Sequence, residues 1–374
     1  MALKNLPLGI STLSKLLENN CVYVDKTEYA YNLTSQSGAF FLSRPRRFGK
    51  SLFVDTLKEI FEGNQKLFEG LYIYDKWDWT KKYPVIKLDF VIGGGRNLAE
   101  FDIRISAMLD ENGKRLGVTL NSTDYEGKFG ELISKAAAKY GQRVVVLVDE
   151  YEKPLLDNID NPQIARELVS VLNNFYSVLK EQAANLQFVF MTGVTNYSKA
   201  SMFSGLNHFE DITISKTYSS IFGYTDKERQ HHLIEYLADK DLGVLKKWYN
   251  GYSWTGPDTV YNPNDILLFL SEENVFRNYW FETGTPSFLI KLFKKHQYLL
   301  PDLDNIEVSE QILSSFDMDS HDPITLLFQT GYLTIEKTFI HDGRLIFRLK
   351  IPNKEVQLSL GGYFIKDDKD DARK

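Results

Sequence analysis

Cysteine is almost missing from this chain of 374 residues: Cys21 is the only one. No disulfide can close within the chain, which excludes the stapled secreted scaffolds and fits a reducing compartment. Cys21 has no evident catalytic base beside it, so a small buried residue is the better reading of it. Long hydrophobic runs are missing too. The longest, Val144–Val148 and Ile266–Leu270, fall far short of the roughly 20 apolar residues that span a bilayer. The first residues, Met1-Ala2-Leu3-Lys4-Asn5, have no signal-peptide pattern. The expected compartment is therefore the cytoplasm, with no membrane partner. An excess of one charge sign is absent as well. Lys and Arg number 44 against 50 Asp and Glu, a formal net charge of -6. That balance argues against a protein that simply coats nucleic acid or anionic lipid, although local basic patches stay open. His208, His231, His232, His296, His321 and His341 are scattered without Cys or acid at ligand spacing, so no zinc site is expected.

What is present is ordinary core material, 43% hydrophobic and 25% charged. At roughly 100–200 residues per domain, the length predicts two domains. Ala39–Leu42, Pro84–Phe90, Arg143–Val148 and Leu186–Thr192 read as buried strands, with Asp211–Ile214 as a fifth candidate. Between them Phe53, Leu57, Ile60 and Phe61 recur at helical spacing, as do the apolar residues of Ile164–Leu179. Alternating strand and helix predicts an α/β domain with a mostly parallel sheet over residues 1–220. Residues 221–360 have a different texture. Asp226–Ala238, Asn262–Leu270 and Ile324–Gln329 read as helices, with Asn262 as N-cap and Pro263 at the first helical position. Tyr332–Phe339 and Arg344–Ile351 read as a hairpin joined through His341-Asp342-Gly343. Helices followed by one hairpin predict a small helical, winged-helix-like module. Residues 361–374 form a charged tail expected to be disordered.

The run Arg44-Pro45-Arg46-Arg47-Phe48-Gly49-Lys50-Ser51 falls between the first strand and a helix, where a phosphate-binding loop belongs. Free amides at a helix N-terminus point at an anion, and the helix dipole favours it. Gly49 lets the backbone approach without a Cβ, Lys50 would reach the β- and γ-phosphates, and Ser51 would give its hydroxyl oxygen to Mg²⁺. The usual pattern opens on glycine, and here that position is Arg44. The predicted nucleotide-binding set is Arg44, Arg46, Arg47, Phe48, Gly49, Lys50, Ser51 and Leu52. The competing reading is a helix N-terminus with a surface lysine. A second element weighs against it. Val144–Val148 runs into Asp149-Glu150, which puts two carboxylates at the carboxyl edge of a parallel sheet, where ligands bind. Asp149 joins Ser51 as the predicted Mg²⁺ pair, and Glu150 joins Lys50 as the catalytic pair, orienting the attacking water. The next strand ends in Thr192-Gly193-Val194-Thr195-Asn196. Thr192 and Asn196 are candidates for sensing the γ-phosphate or holding water, and simple turn residues explain them equally well.

With these residues in view, the chain resembles the AAA-ATPase-like family, prokaryotic proteins that often carry a C-terminal PD-(D/E)XK nuclease domain. The resemblance rests on Leu6–Ile10, Tyr23–Thr27, Phe41–Ser51, Leu147–Pro154, Phe203–Asn207, Trp248–Tyr252 and Ile351–Glu355, and covers nearly the whole chain. The Arg-Pro-Arg-Arg-Phe-Gly-Lys-Ser string is specific and carries Arg44 with it. The resemblance implies a P-loop NTPase core of the AAA+/STAND type with strand order 5-1-4-3-2, a helical or winged-helix lid, and Tyr23–Thr27 near the nucleotide base. A nuclease domain in longer members would start after Pro352–Glu355. No Asp…Glu-x-Lys constellation follows here, so no nuclease activity is expected, and the chain is expected to be truncated or a nuclease-less member.

Three functions remain open on these residues. The first is an ATP·Mg²⁺-dependent ATPase switch. The second is a nucleotide-stabilised scaffold with little turnover that recruits a protein partner or self-associates. The third is a DNA-binding regulator using Lys337, Arg348 and Lys350. Arg46, Arg47 and Lys199 are candidate electrophiles, with a phosphate-positioning role as the simpler alternative for the arginines. Trp248, Tyr249, Tyr252, Trp254 and Tyr261 have no basic stripe beside them and read as a domain-interface core rather than a base-stacking platform.

Overall fold

A run of five apolar side chains has no solvent face, and β3 (Val144–Asp149), which carries such a run up to its terminal acid, is buried along its whole length. It must lie between two helical layers, as the strands of parallel sheets do. The computed structural model of the protein describes residues 3–90, 97–158, 161–196, 209–280, 303–314 and 323–361. In it β1 (Gly38–Ser43), β2 (Val85–Asp89), β3, β4 (Leu186–Gly193) and β5 (Phe209–Asp211) form one 5-stranded sheet, order β2-β3-β4-β1-β5. All of its pairings are parallel. Read from the β5 edge, the order is 5-1-4-3-2. The helix α3 (Lys50–Phe61) follows β1 and packs on β2, β3 and β4; Phe53 meets Phe190 and Phe61 meets Phe188. Further layers come from α4 (Leu98–Leu116), α5 (Tyr125–Tyr140) and α7 (Pro162–Glu181), where Phe129 stacks on Phe175. The N-terminal helices α1 (Leu13–Glu18) and α2 (Thr27–Thr34) lie against α3, and the Leu13 amide donates to buried Asp55 at 2.8 Å.

The register sets the functional edge. Ser43 pairs with Gly193 and Val148 with Met191, so β1 and β3 end at the same side of the sheet, flanking β4. With neighbouring strands about 4.8 Å apart, their ends stand roughly 10 Å from each other, the span of a polyphosphate crevice. The fifth strand is shifted from the expected Asp211–Ile214 to Phe209–Asp211. The Asp211 carboxylate accepts the Thr213 amide at 2.9 Å, a local turn that ends the strand, and the Thr213 hydroxyl then accepts the Ser43 amide.

Beyond the sheet, α8 (Asp226–Leu237) opens on a capping box made by Thr225 and Glu228, and α9 (Leu242–Tyr249) on Asp241. In α10 (Pro263–Ser271) Asn262 is the N-cap and Pro263 the first residue. The short α6 (Lys153–Asp157) follows β3. Farther on, β6 (Ile306–Ser309), β7 (Thr334–His341) and β8 (Arg344–Lys350) form an antiparallel 3-stranded sheet, order β6-β8-β7, beside α11 (Glu310–Ser314) and α12 (Pro323–Thr330). His341 belongs to the strand, where it pairs with Arg344, and the turn is Asp342-Gly343 alone. Both turn residues have positive φ, the conformation an Asp-Gly hairpin requires. A last helix, α13, spans 354–361. The expected tail lies, apart from residue 361, outside the described residues. Among the described residues no helix is long and apolar enough to cross a membrane.

The aromatic cluster is where these elements meet the sheet domain. Phe48 lies edge-on to Tyr252 and Trp254, with ring centres 5.0 and 5.6 Å apart. Tyr249, Tyr252, Trp254 and Tyr261 are all buried. Gly251 makes this packing possible. Its φ is +106°, and a Cβ there would lie 2.0 Å from the Pro352 carbonyl oxygen. Gly251→Ala combines backbone strain with a clash against main chain, so a loss of about 1–3 kcal/mol or more is expected. Denaturant unfolding followed by tryptophan fluorescence checks it.

Candidate phosphate site

Two left-handed residues, Arg47 at φ 70° and Gly49 at φ 96°, fold the chain between β1 and α3 into a tight loop. Successive amides in such a loop converge on one point and make an anion-binding concavity. Gly49 is the N-cap of the 12-residue α3 and no side chain caps it, so the first amides of the helix have no partner from within the helix. Lys50 is 4% exposed. Its ammonium donates to the carbonyls of Arg44 at 3.1 Å and Pro45 at 3.2 Å, and stands 3.2 Å from Glu150 Oε1. The loop and the end of β3 therefore meet through one ion pair.

Asp149 is fully buried, and neither carboxyl oxygen has a hydrogen-bond partner of normal geometry among the described residues. Burial pushes its pKa up to about 6, and the charge of Glu150 adds to the rise. The nearby Ser51 hydroxyl and Lys50 ammonium offset part of it. An acid buried with unpartnered oxygens beside a serine hydroxyl and facing a loop of amides fits a hydrated divalent cation: the cation would supply the missing charge. Glu150 adopts φ 53°, unusual for a residue with a Cβ, which swings its side chain out of the strand line to meet Lys50.

A cavity of about 890 Å³ opens over this edge. That lies within the 300–1,000 Å³ typical of small-molecule sites. Arg46, Arg47, Phe48, Gly49, Lys50, Ser51, Leu52 and Glu150 all line it. Its apolar wall comes from the N-terminal segment (Leu8, Ile10, Val22, Val24) and from Ile221, Phe222 and Leu267. Tyr23, Val24 and Lys26 of the Tyr23–Thr27 segment line it as well.

Asp149 does not itself line the cavity, and three further predicted residues, Arg44, Thr192 and Asn196, fall elsewhere. Arg44 is a correction. It is fully buried, its guanidinium lies 3.9 Å from the centre of the Trp254 ring, and it donates to the carbonyls of Ser43, Thr213 and Tyr218. Its amide donates to the Gly193 carbonyl. The residue in the usual glycine position is a staple beneath the loop, not a phosphate ligand. The Thr192 hydroxyl donates to the Leu42 carbonyl at 2.7 Å and so ties β4 to β1, and Thr192 does not line the cavity. Asn196 is buried outside the cavity, its amide donating to Gln329 Oε1 at 3.0 Å. Lys199 and Phe203–Asn207 lie outside the described residues. Among the described residues no group of three or more His, Cys, Asp or Glu is arranged to hold a metal ion. Two of the hairpin cations are engaged by acids: Arg348 pairs with Glu307 at 2.5 Å and Lys350 with Glu336 at 3.8 Å.

Lys26 enters the sequence reading only as part of Tyr23–Thr27, and Glu152 is not singled out there at all. Lys26 lines the cavity and ties the N-terminal segment to the start of α8 through Glu228 at 2.6 Å and the Ser220 carbonyl at 2.7 Å. Glu152 is fully buried two residues past Glu150. Burial, then the charge of Glu150, pushes its pKa from an ordinary 4.5 up to about 8, against the pull of the Thr195 and Val194 amides. The folded protein thus keeps a proton that the unfolded chain releases. The associated stability is fully present below about pH 4.5 and is lost as pH rises toward about 8. Glu152→Gln, which cannot ionise, should flatten the stability–pH curve over that window, as denaturant unfolding at pH 5 to 8.5 would record.

The family described as predicted AAA-ATPase (AAA-ATPase-like) matches residues 7–203. The match covers the phosphate loop, Asp149 and Glu150. An "Uncharacterized protein in vnfD 5'region" of Azotobacter chroococcum mcd 1 is 44% identical over 363 residues, 96% of this chain and 70% of that protein.

Proposed function

The chain belongs to the AAA-ATPase-like family, and on that premise we propose that it binds ATP with Mg²⁺ at the loop Arg46–Ser51 and hydrolyses it. The observation that carries the proposal is the meeting of Lys50 with Glu150 at 3.2 Å, beside a buried and unpartnered Asp149. In this reading the amides of Gly49, Lys50 and Ser51 cradle the phosphates, and the Lys50 ammonium moves from Glu150 to the β- and γ-phosphate oxygens. Ser51 and Asp149 would hold the Mg²⁺, which would supply positive charge against the phosphates. Glu150, released from Lys50, orients a water in line with the γ-phosphate and takes its proton. Arg46 and Arg47 add positive potential at the cavity mouth. The apolar wall around Leu8, Val24 and Leu267 takes the base.

The switch part of the proposal treats residues 1–220 as the ATPase domain and 221–360 as a winged-helix-like lid. Three contacts at the loop support it. Phe48 lies against Tyr252 and Trp254, the Trp280 indole donates to the Arg46 carbonyl at 3.3 Å, and Gly331 packs on Pro45. A loop that shifts over a triphosphate must move these partners, so the two states differ in lid contacts. Calorimetric titration of ATP with and without Mg²⁺, followed by a phosphate-release assay, tests it. The expected result is one Mg²⁺-dependent site with release of phosphate. Binding without release favours the scaffold that recruits a protein partner, and no binding rejects both.

A further inference from the structure

The turn that carries the left-handed Glu150 is tied to the end of β4 by the two residues that follow it. The Tyr151 amide donates to the Thr192 carbonyl at 3.2 Å, and the Tyr151 hydroxyl to the Thr195 carbonyl at 3.0 Å. The Glu152 Oε1 accepts the amides of Val194 at 2.5 Å and Thr195 at 2.9 Å. These two amides are the first after β4, where the ladder can no longer satisfy them, and burial leaves them no water. Gly193 leaves room for the acid. A Cβ on it would lie 1.9 Å from Glu152 Oε2. The next amide, that of Asn196, donates to Gln329 Oε1 on α12, and Gln329 Nε2 donates to the Leu313 carbonyl on α11. One short stretch of chain, residues 192–196, is thus gripped on one side by the turn that carries Glu150 and on the other by the helices next to the hairpin.

We propose that Glu152 is a positioning residue for ATP turnover: it clamps the chain leaving β4 to the turn leaving β3, and so sets Glu150 over the phosphate site and joins that turn to α12. The proposal rests on the ATPase reading for its kinetic half only. A residue in the left-handed region returns to ordinary backbone unless its surroundings over-determine it, and the bonds of Tyr151 and Glu152 supply that constraint. Glu152 itself does not line the cavity, so it contacts neither phosphate nor base there. Its loss therefore changes the placement of Glu150 more than the grip on the nucleotide. The same loss frees residues 192–196, and with them the link to Gln329.

The test compares Glu152→Ala, Glu152→Gln and Gly193→Ala with the parent protein. Glu152→Ala should lower kcat at least about tenfold while the Kd for Mg·ATP stays within about threefold, the signature of a lost transition-state arrangement. Hydrogen exchange of residues 192–196 should quicken at least about tenfold, and nucleotide-dependent protection of α12 should disappear. Glu152→Gln keeps the accepting oxygen and should restore both readouts. Gly193→Ala displaces the carboxyl without deleting it and should reproduce the alanine phenotype, which keeps the test valid should Glu152→Ala fail to fold. The proposal is overturned if exchange at 192–196 is unchanged in the folded variants, if glutamine rescues no better than alanine, or if kcat and affinity fall in parallel. A parent protein that binds no nucleotide would sink the ATPase reading instead, and the exchange data alone would still decide the clamp.

Discussion

Lys50→Ala is expected to weaken Mg·ATP binding by about 100-fold or more while leaving the fold intact. A hydrogen bond to a charged group is worth about 1.5–3 kcal/mol, or roughly 10- to 150-fold in affinity, and the ammonium would make more than one such bond. A second effect adds to the first. Lys50 is the cation beside both acids, since it stands 3.2 Å from Glu150 and its charge lowers the pKa of Asp149. Without it, a polyphosphate would meet two carboxyl groups with no fixed positive charge between them. The side chain donates only to loop carbonyls and Glu150, so its removal leaves the sheet core untouched. Calorimetry on a variant with an unchanged melting curve checks the prediction. A Kd within threefold of the parent would mean that the Lys50 ammonium serves only its own loop and Glu150.

Glu150→Gln is the second large effect, and it should separate turnover from binding. A positioned general base contributes roughly 100- to 10,000-fold. Phosphate release should fall by at least about 100-fold, with Kd unchanged or tighter. The amide still accepts from Lys50, so the empty site keeps its geometry. The charge change also reaches its neighbours. Glu150 raises the pKa of Asp149 and of Glu152. Neutralising it should let Asp149 ionise at lower pH and extend Mg²⁺-dependent binding toward acid conditions. Single-turnover phosphate release and binding titrations at pH 5.5 and 7.5 measure both effects. Unchanged turnover would remove Glu150 from the chemistry and leave the left-handed backbone there without a function.

What could be read from the sequence was local. Val144–Val148 is uninterrupted and apolar, and Phe48-Gly49-Lys50-Ser51 precedes a regular helical pattern, so β3 and the phosphate loop were legible from a few consecutive residues. So was the Asp342-Gly343 turn, because φ > 0 at both positions selects those residue types. What escaped depends on partners far along the chain. The direction of Arg44 is set by Trp254, Thr213 and Tyr218, none of which a loop motif reveals. Thr192 sits at the right strand end, but its hydroxyl is drawn to Leu42 by the pairing of β1 with β4. Glu152 lies in plain sight between Glu150 and Pro154. Its role exists only because β3 and β4 pair and bring the Val194 and Thr195 amides to it. Several helices passed unread, the long α4 and α5 among them. In α4, Phe101, Ile105 and Leu109 do recur at helical spacing, but charged residues and Gly113 dilute the stripe. The strand β6 is only 4 residues long and has meaning only as the partner of β8.

The measurement that bears most directly on the central claim is a crystal structure of the protein soaked with Mg²⁺ and a non-hydrolysable ATP analogue. The account predicts phosphate density over Gly49 and Lys50, the Lys50 ammonium withdrawn from Glu150, and a cation between the Ser51 hydroxyl and Asp149. A nucleotide bound elsewhere, or a loop that keeps Lys50 on Glu150 under saturating ligand, would contradict it.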